Sequence, residues 1–493
     1  MRQAFATRRP LGPMAAVVAA ALAVAACSEP PTTGSGSAVE IGPGAELPDC
    51  PFDALDEAKG PVEVNLWYGG LVGSTKATME DIVARFNASQ DQVRVTANDQ
   101  GAAYDQVFRK YESASSSSPD QLPDLIYLED TQLQVMVDSG QVLPAQSCME
   151  AAGFDLTDLE PVARSKYTVG DVLYPGYMNV AIPVLYYNKA HWVKAGLDPN
   201  DPPQTLDEIY TQAKALKDAG VSDKPLSFKA DRWFFETWLT GIGEDIVNNG
   251  NGREAPATEA TFDTPAADDL VGWLKKMEDE GLLNAFADTE GSIDQYLALA
   301  TQQSSMLIET STASATIADA LGGNLTAAEA GADFDTSVLD KSELVPASAA
   351  MPGIEAAGKV FPTGGAFYIF NTSEPVQQAA SWKFMAFMLT PEIAKVWHLN
   401  GGSLPIVKAV ADDPQVQAFW RDDLAGTLLH TAVEQLSDAD PDLPGPLIGP
   451  YVDEALAIEN ALDAVLFDNQ DVDESLARAQ DEVTQSLERY AGD

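Results

Sequence analysis

The chain has 493 residues, 45% of them hydrophobic, and a formal net charge of −46 at pH 7 from 75 Asp and Glu against 29 Lys and Arg. That length suggests two or three domains, and the apolar content excludes wholesale disorder. The acidic excess argues against nucleic-acid binding and against long-range steering of anionic ligands; it reads as a solvated acidic surface.

Arg2, Arg8 and Arg9 followed by the apolar run Met14 to Ala26 form a targeting segment over residues 1–26. It ends in Val24-Ala25-Ala26-Cys27, a lipobox pattern that makes Cys27 the expected acylation site. Such an anchor would hold the protein at the outer face of the cell membrane without a transmembrane helix. No later apolar run reaches the roughly 18 residues needed to span a bilayer. Residues 27–60 read as a tether and N-terminal segment, rich in Pro, Gly, Ser and Thr up to Asp49. The two remaining cysteines, Cys50 and Cys148, most simply pair in an oxidising setting, tying the segment before the first strand to the loop after Leu143. A metal or catalytic thiol would need His or Cys residues nearby in sequence, and there are none, so neither metal nor cofactor is expected.

Val62 to Trp67 alternates as a strand, Ser74 precedes an amphipathic helix, and Val93 to Ala97 is a second strand. Tyr104, Val107, Phe108 and Tyr111 mark a second helix, and Pro123 to Leu128 a third strand. This βαβαβ order implies a parallel sheet covered by helices, whose ligands bind beyond the strand C-termini. Those ends are Trp67-Tyr68-Gly69 and Glu129-Asp130. Met178 to Tyr187 reads as a buried strand crossing between two such units, followed by a helix over Lys189 to Ala195 closed by Gly196, and by a capping box at Thr205 and Glu208. Beyond it come an aromatic segment (Asp231 to Leu239), a helix from Pro265, and a strand over Ser304 to Ile308. A second crossing falls near Pro362 to Phe370, then helices from Pro375 and Thr390, and two amphipathic helices from Tyr451.

Four separated blocks carry a resemblance: Pro123 to Pro144; Val184 to Glu208, with Val-Leu-Tyr-Tyr-Asn-Lys and Pro-Pro-Gln-Thr-Leu-Asp-Glu; Met351 to Ala366; and Ala380 to Ala409. They resemble the extracellular solute-binding proteins of ABC importers, in particular the carbohydrate-type group that includes maltose-binding and glycerol-phosphate-binding proteins. The resemblance implies an α/β, two-lobed, periplasmic-binding-protein-like clamshell with interlobe crossings. Lobe I would take residues 61–182 and 304–361, and lobe II 183–303 and 362–493. It also implies a monomeric receptor that delivers a small carbohydrate-like ligand to ABC permease subunits, touching the membrane only through its lipid.

No zinc, nucleophile-elbow, P-loop or dinucleotide motif occurs, and the three histidines, His191, His398 and His430, lie far apart. A secreted hydrolase needs only two carboxylates, so it remains the distant alternative. A neutral sugar needs flat apolar faces and a few fixed polar groups. Trp233 and Tyr104 are the expected platforms, with Trp67 and Trp238 behind them, although Trp238 and Trp382 fit core better; Tyr68, at the strand end, is a further ligand-binding candidate. Glu129 and Asp130 would accept hydroxyl hydrogen bonds, or Asp130 would simply cap a helix beside Thr131. Thr310 and Ser311 would contact ligand or start a helix, and Gly364 and Gly365 would admit backbone amides or permit a tight hinge. The glycerol-phosphate-binding relatives carry a Gly-Leu-Arg-Leu-Gly that looks replaced by Gly445-Pro446-Leu447-Ile448-Gly449, and a Ser that is Ala181 here. Without that Arg a phosphate loses its strongest charge-assisted bonds, so a sugar, oligosaccharide or polyol is the expected ligand.

Overall fold

Apolar runs build the strands of two mixed sheets and of a separate two-stranded ladder of β5 with β6. In chain order these are β1 (Val62–Tyr68), β2 (Val93–Asp99), β3 (Leu125–Glu129), β4 (Val142–Leu143), β5 (Thr168–Val169), β6 (Val172–Leu173), β7 (Tyr177–Ala181), β8 (Pro183–Asn188), β9 (Leu226–Ala230), β10 (Leu283–Ala287), β11 (Met306–Thr310), β12 (Pro346–Ala350) and β13 (Thr363–Phe370). The computed structural model describes residues 46–101, 103–118, 121–289, 292–322 and 344–492; the targeting segment, Cys27 and the tether up to residue 45 lie outside the described residues.

The first sheet runs β2-β1-β3-β13-β4, with β7 also pairing with β13. β1 is parallel to β2 and β3, as the helical crossovers require, while β13 is antiparallel to β3, β4 and β7. The second sheet runs β10-β9-β11-β8-β12, parallel through β10, β9 and β11 and antiparallel at β8.

The expected crossing strand over Met178 to Tyr187 is two strands. β7 ends at Ala181 in the first sheet and β8 begins at Pro183 in the second, so Ile182 alone separates them. Proline is tolerated at the first residue of a strand, where its missing N–H costs no ladder bond. The helix over Lys189–Ala195 ends at Gly196 with φ +74°, and Thr205 caps the helix Leu206–Asp218 by accepting from the Glu208 amide. The returning arm of that capping box reaches the Gln204 amide, at 2.6 Å, rather than that of Thr205.

The expected division of the second half of the chain needs correction. β11 and β12, placed above in lobe I, pair with β9 and β8, whereas β13, placed in lobe II, completes the first sheet beside β3. Pairing partners are set by long-range topology, which local periodicity does not carry. The stretch after β13 is divided as well. Helices Pro375–Met388 and Pro391–Gly401 pack on the first sheet and its Gly73–Ser89 helix, with Phe384 edge-on to Phe86 at 5.1 Å. Helix Leu424–Asp438 packs on β12, where Ser348 donates to the Leu428 carbonyl at 2.8 Å, and helix Tyr451–Leu466 packs on β9.

Cys50 and Cys148 form a disulfide, with Cys148 in the helix Ala145–Ala151 rather than in a loop. Among the described residues no helix is long and apolar enough to cross a membrane.

Candidate functional site

The end of β3 and the start of the Arg232–Thr240 helix, which follows β9, bring charged groups of the two sheets together. Asp130 is buried, and its carboxylate accepts from Lys166 Nζ at 3.0 Å, Thr363 Oγ1 at 2.6 Å and the Gly364 amide at 3.0 Å. Burial alone would raise its pKa, but the Lys166 ammonium and the two hydrogen bonds outweigh it and hold the carboxyl below the usual range. Asp130 is thus an ion-pair partner and caps no helix. Next to it, burial and the Asp130 charge push the Glu129 carboxyl up to about 7, although Arg232 and the Thr131 hydroxyl pull in the other direction. Arg232 itself donates to Glu236 at 3.1 Å and lies over the Tyr451 ring. The Tyr451 hydroxyl donates to the other Glu236 oxygen at 2.6 Å. Glu454 is fully buried, and that burial, with the Glu236 charge, holds its carboxyl well above the usual range.

The floor on the first-sheet side is aromatic. The Tyr104 and Tyr127 hydroxyls lie 3.4 Å apart, and Asn179 Nδ2 donates to the Tyr127 oxygen at 3.2 Å. Gly365 lies flat on the Tyr127 ring, where a Cβ would come within 2.1 Å of Cζ. Gly364 has φ +140°, and a Cβ there would meet the Asn179 carbonyl oxygen at 1.9 Å. Its amide is held by Asp130 and its carbonyl accepts from the Tyr167 hydroxyl at 2.8 Å. Both glycines therefore serve close chain packing, and the Gly364 amide is not free for a ligand.

Trp67 and Tyr68 belong to the packing of the first sheet. Trp67 lies under the Lys110 ammonium at 3.8 Å, and the Tyr68 hydroxyl donates to Glu80 at 3.2 Å. Ser311 is buried and clips the crossing between sheets: its amide donates to the Ile182 carbonyl at 2.8 Å, and its hydroxyl accepts from the Ile182 amide at 3.3 Å. Thr310 is partly buried, with its hydroxyl 3.3 Å from that of Thr312. Trp233 is buried and stacked on Phe234, yet its indole N–H has no partner among the described residues. Trp238 and Trp382 are core.

A cavity of about 950 Å³ opens between the two halves, bounded by Arg164 and Thr168 on one side, Thr240 and Arg253 on the other, and the turn Pro441 to Gly445. The turn read from sequence as lacking a cation has one beside it, Arg253. Its Nε donates to Gly445 O at 3.0 Å, Nη1 to the carbonyls of Lys166 and Thr168 at 3.0 and 3.3 Å, and Nη2 to those of Pro444 and Pro446 at 3.4 and 3.5 Å. A guanidinium has five N–H donors, and all five face protein carbonyls. Sequence reasoning missed Lys166, Arg253, Asn179 and Tyr451; the spacing of Arg232 and Glu236, one helical turn apart, was the one local signal available.

Residues 81–423 match a family model described as bacterial extracellular solute-binding protein. Among curated relatives, the sn-glycerol-3-phosphate-binding periplasmic protein UgpB of Shigella dysenteriae serotype 1 is 22% identical over 444 residues, covering 88% of this chain and 95% of the relative. UgpB of Escherichia coli K12 shows the same identity and coverage. Among solved structures, a cyclic alpha-maltosyl-1,6-maltose binding protein from Arthrobacter globiformis aligns with a TM-score of 0.67 at 21% identity, covering 87% of this chain and 100% of that one. UgpB from Mycobacterium tuberculosis in complex with glycerophosphocholine aligns at 0.65 and 20% identity, covering 88% and 100%.

Proposed function

Because this chain belongs to the bacterial extracellular solute-binding proteins, we propose that it is the receptor of an ABC importer. In this reading it closes two lobes on a neutral sugar, oligosaccharide or polyol and hands it to a membrane permease without turning it over. The lobes are the two sheets with their helices, residues 61–181 with 362–403 and residues 183–361 with 424–492. The protein acts as a monomer, tethered by lipid on Cys27.

The observation that carries the choice of ligand is that each cation at the facing strand ends already has a carboxylate or carbonyl partner. Lys166 is paired with Asp130, Arg232 with Glu236, and Lys229 with Asp231 and Asp288, while Arg253 is satisfied by carbonyls. A phosphate would have to compete with these partners for its charge-assisted bonds. What the site offers instead suits hydroxyl groups and a ring face: the Glu129 carboxyl, the Tyr104 hydroxyl and the Trp233 indole.

The names of the UgpB relatives favour a second reading, in which the ligand is glycerol phosphate or a phosphodiester. Calorimetry of the purified protein against neutral sugars, polyols, glycerol 3-phosphate and glycerophosphocholine separates the two. Binding of the neutral compounds, with no product by chromatography, supports the proposal; binding of the phosphate compounds alone overturns it. Turnover abolished in Glu129→Gln would make the protein a hydrolase. Loss of lipid label in Cys27→Ala tests the tether.

A further inference from the structure

The segment from Pro441 to Pro450 carries prolines at 441, 444, 446 and 450 and contains neither helix nor strand. Each proline fixes its own φ, so the segment keeps its shape with little ordering entropy left to lose. It is seated closely on the second sheet's half of the molecule. A Cβ on Gly252 would come within 2.1 Å of the Leu447 carbonyl oxygen, and one on Gly449 within 2.3 Å of the Tyr490 ring. The Leu447 amide donates to the Asn251 carbonyl at 2.9 Å.

From this seat the segment and its neighbours Arg253 and Tyr490 reach the other half at three points. Arg253 Nη1 donates to the carbonyls of Lys166 and Thr168, while its remaining nitrogens hold those of Pro444, Gly445 and Pro446. The Ser165 hydroxyl donates to the Pro441 carbonyl at 2.5 Å, and the Tyr490 hydroxyl to Asp138 at 2.8 Å. None of these residues lies where the chain passes between the sheets: at Ile182, between β12 and β13, or between the helices that end at Gly401 and begin at Leu424. The three contacts are therefore separate from the hinge. An arginine that only fixed the turn to its own half would need just the bonds to Pro444, Gly445 and Pro446. Burial pulls the Arg253 pKa down to about 10, so it is charged at neutral pH and both crossing bonds are charge-assisted. Every donor and acceptor in the set is a protein atom.

We propose that Pro441 to Pro450, fastened by Arg253, is a strap that holds the two lobes together through protein bonds alone, so that the closed form predominates before any ligand arrives. Ligand entry and release then wait on the strap. This goes beyond the receptor reading and is independent of which ligand the cleft takes.

The test is the interlobe distance in the full-length protein with no ligand added, read between spin labels at one exposed site of each lobe, Ser116→Cys and Glu482→Cys. The parent should show one predominant population, at the separation the structure sets. Arg253→Met keeps an apolar stem and removes both crossing bonds. Its closed-to-open ratio should fall about 10-fold or more, the factor carried by a single hydrogen bond to a charged group. Ser165→Ala/Tyr490→Phe removes only the two rim contacts and should shift the ratio the same way, by about 3-fold. A parent that is mainly open overturns the strap. So does an Arg253→Met variant that melts as the parent does and keeps its distance distribution. Where Arg253→Met fails to fold, the rim variant decides, and no shift in it overturns the strap. Each of these failures leaves the receptor reading standing, because that reading is tested by ligand binding and not by the geometry of the free protein.

Discussion

Replacing Lys166 by methionine probes the most deeply buried ion pair at the site. The Lys166 and Asp130 side chains are 2% and 3% exposed, and the pair joins the Pro161–Lys166 helix to the end of β3. Through Thr363 Oγ1 and the Gly364 amide, the same carboxylate also holds the start of β13. Met fills the volume of the lysine stem but leaves the carboxylate buried with two neutral donors. Removing one partner of a buried pair costs about 3–5 kcal/mol, a large share of a total stability of roughly 5–15 kcal/mol. Asp130→Asn alone strands the ammonium and should cost a similar amount. The double variant strands neither charge, and the Asn oxygen still accepts from Thr363 and Gly364, so it should lie within about 1.5 kcal/mol of the parent. The cycle thus predicts a coupling energy of several kcal/mol. The sign with pH follows from the lowered Asp130 pKa. The pair's contribution is present above the ordinary carboxylate pKa and is lost as pH falls through the folded value. In Lys166→Met the uncompensated carboxyl rises instead and protonates, so the deficit should shrink between pH 7 and pH 5. Urea unfolding of the four proteins at both pH values measures this. Additive single-variant costs, or a loss under about 1 kcal/mol for Lys166→Met, would refute the reasoning.

The Cys50–Cys148 bridge closes a sequence separation of 98 residues, for which loop entropy gives about 4.7 kcal/mol of stabilisation; denaturant unfolding of Cys50→Ala/Cys148→Ala against the oxidised parent checks it. Ser311→Ala removes the acceptor for the Ile182 amide and should cost about 1–2 kcal/mol of stability while leaving ligand affinity nearly unchanged. A large affinity loss without destabilisation would make Ser311 a ligand contact after all. Glu129 carries a carboxyl raised from 4.5 to about 7, so the folded form keeps a proton that the unfolded chain gives up, and stability falls as pH rises across that interval. Glu129→Gln should flatten this fall in thermal midpoints measured from pH 4.5 to 8, and an unchanged profile would show that another group sets it.

What was legible in the sequence were features with local causes. The parallel β1, β2 and β3 follow from their helical crossovers, Gly196 and Thr205 end and begin helices as their chemistry dictates, and the meeting of Cys50 with Cys148 follows from counting thiols. What was not legible depends on partners distant in sequence. β11 and β13 carry similar apolar runs, and nothing in either says which sheet will accept it. Asp130 resembles a helix cap until Lys166, 36 positions away, is folded against it. Gly364 and Gly365 resemble ligand-facing glycines until the Tyr127 ring and the Asn179 carbonyl are seen beneath them.

The Ser311 clip on Ile182 also decides where a bend between the two sheets can fall. Ser311 follows directly on β11, so Ile182, held through both its amide and its carbonyl, rides with the second sheet. Pro183 stiffens the next position by fixing its own φ. Upstream, Ala181 and Val180 stay with the first sheet, laddered to Thr363 and Gly364 on β13, and the Val180 carbonyl also accepts from the Leu404 amide at 2.9 Å. The change of allegiance from one sheet to the other therefore falls on the single link between Ala181 and Ile182.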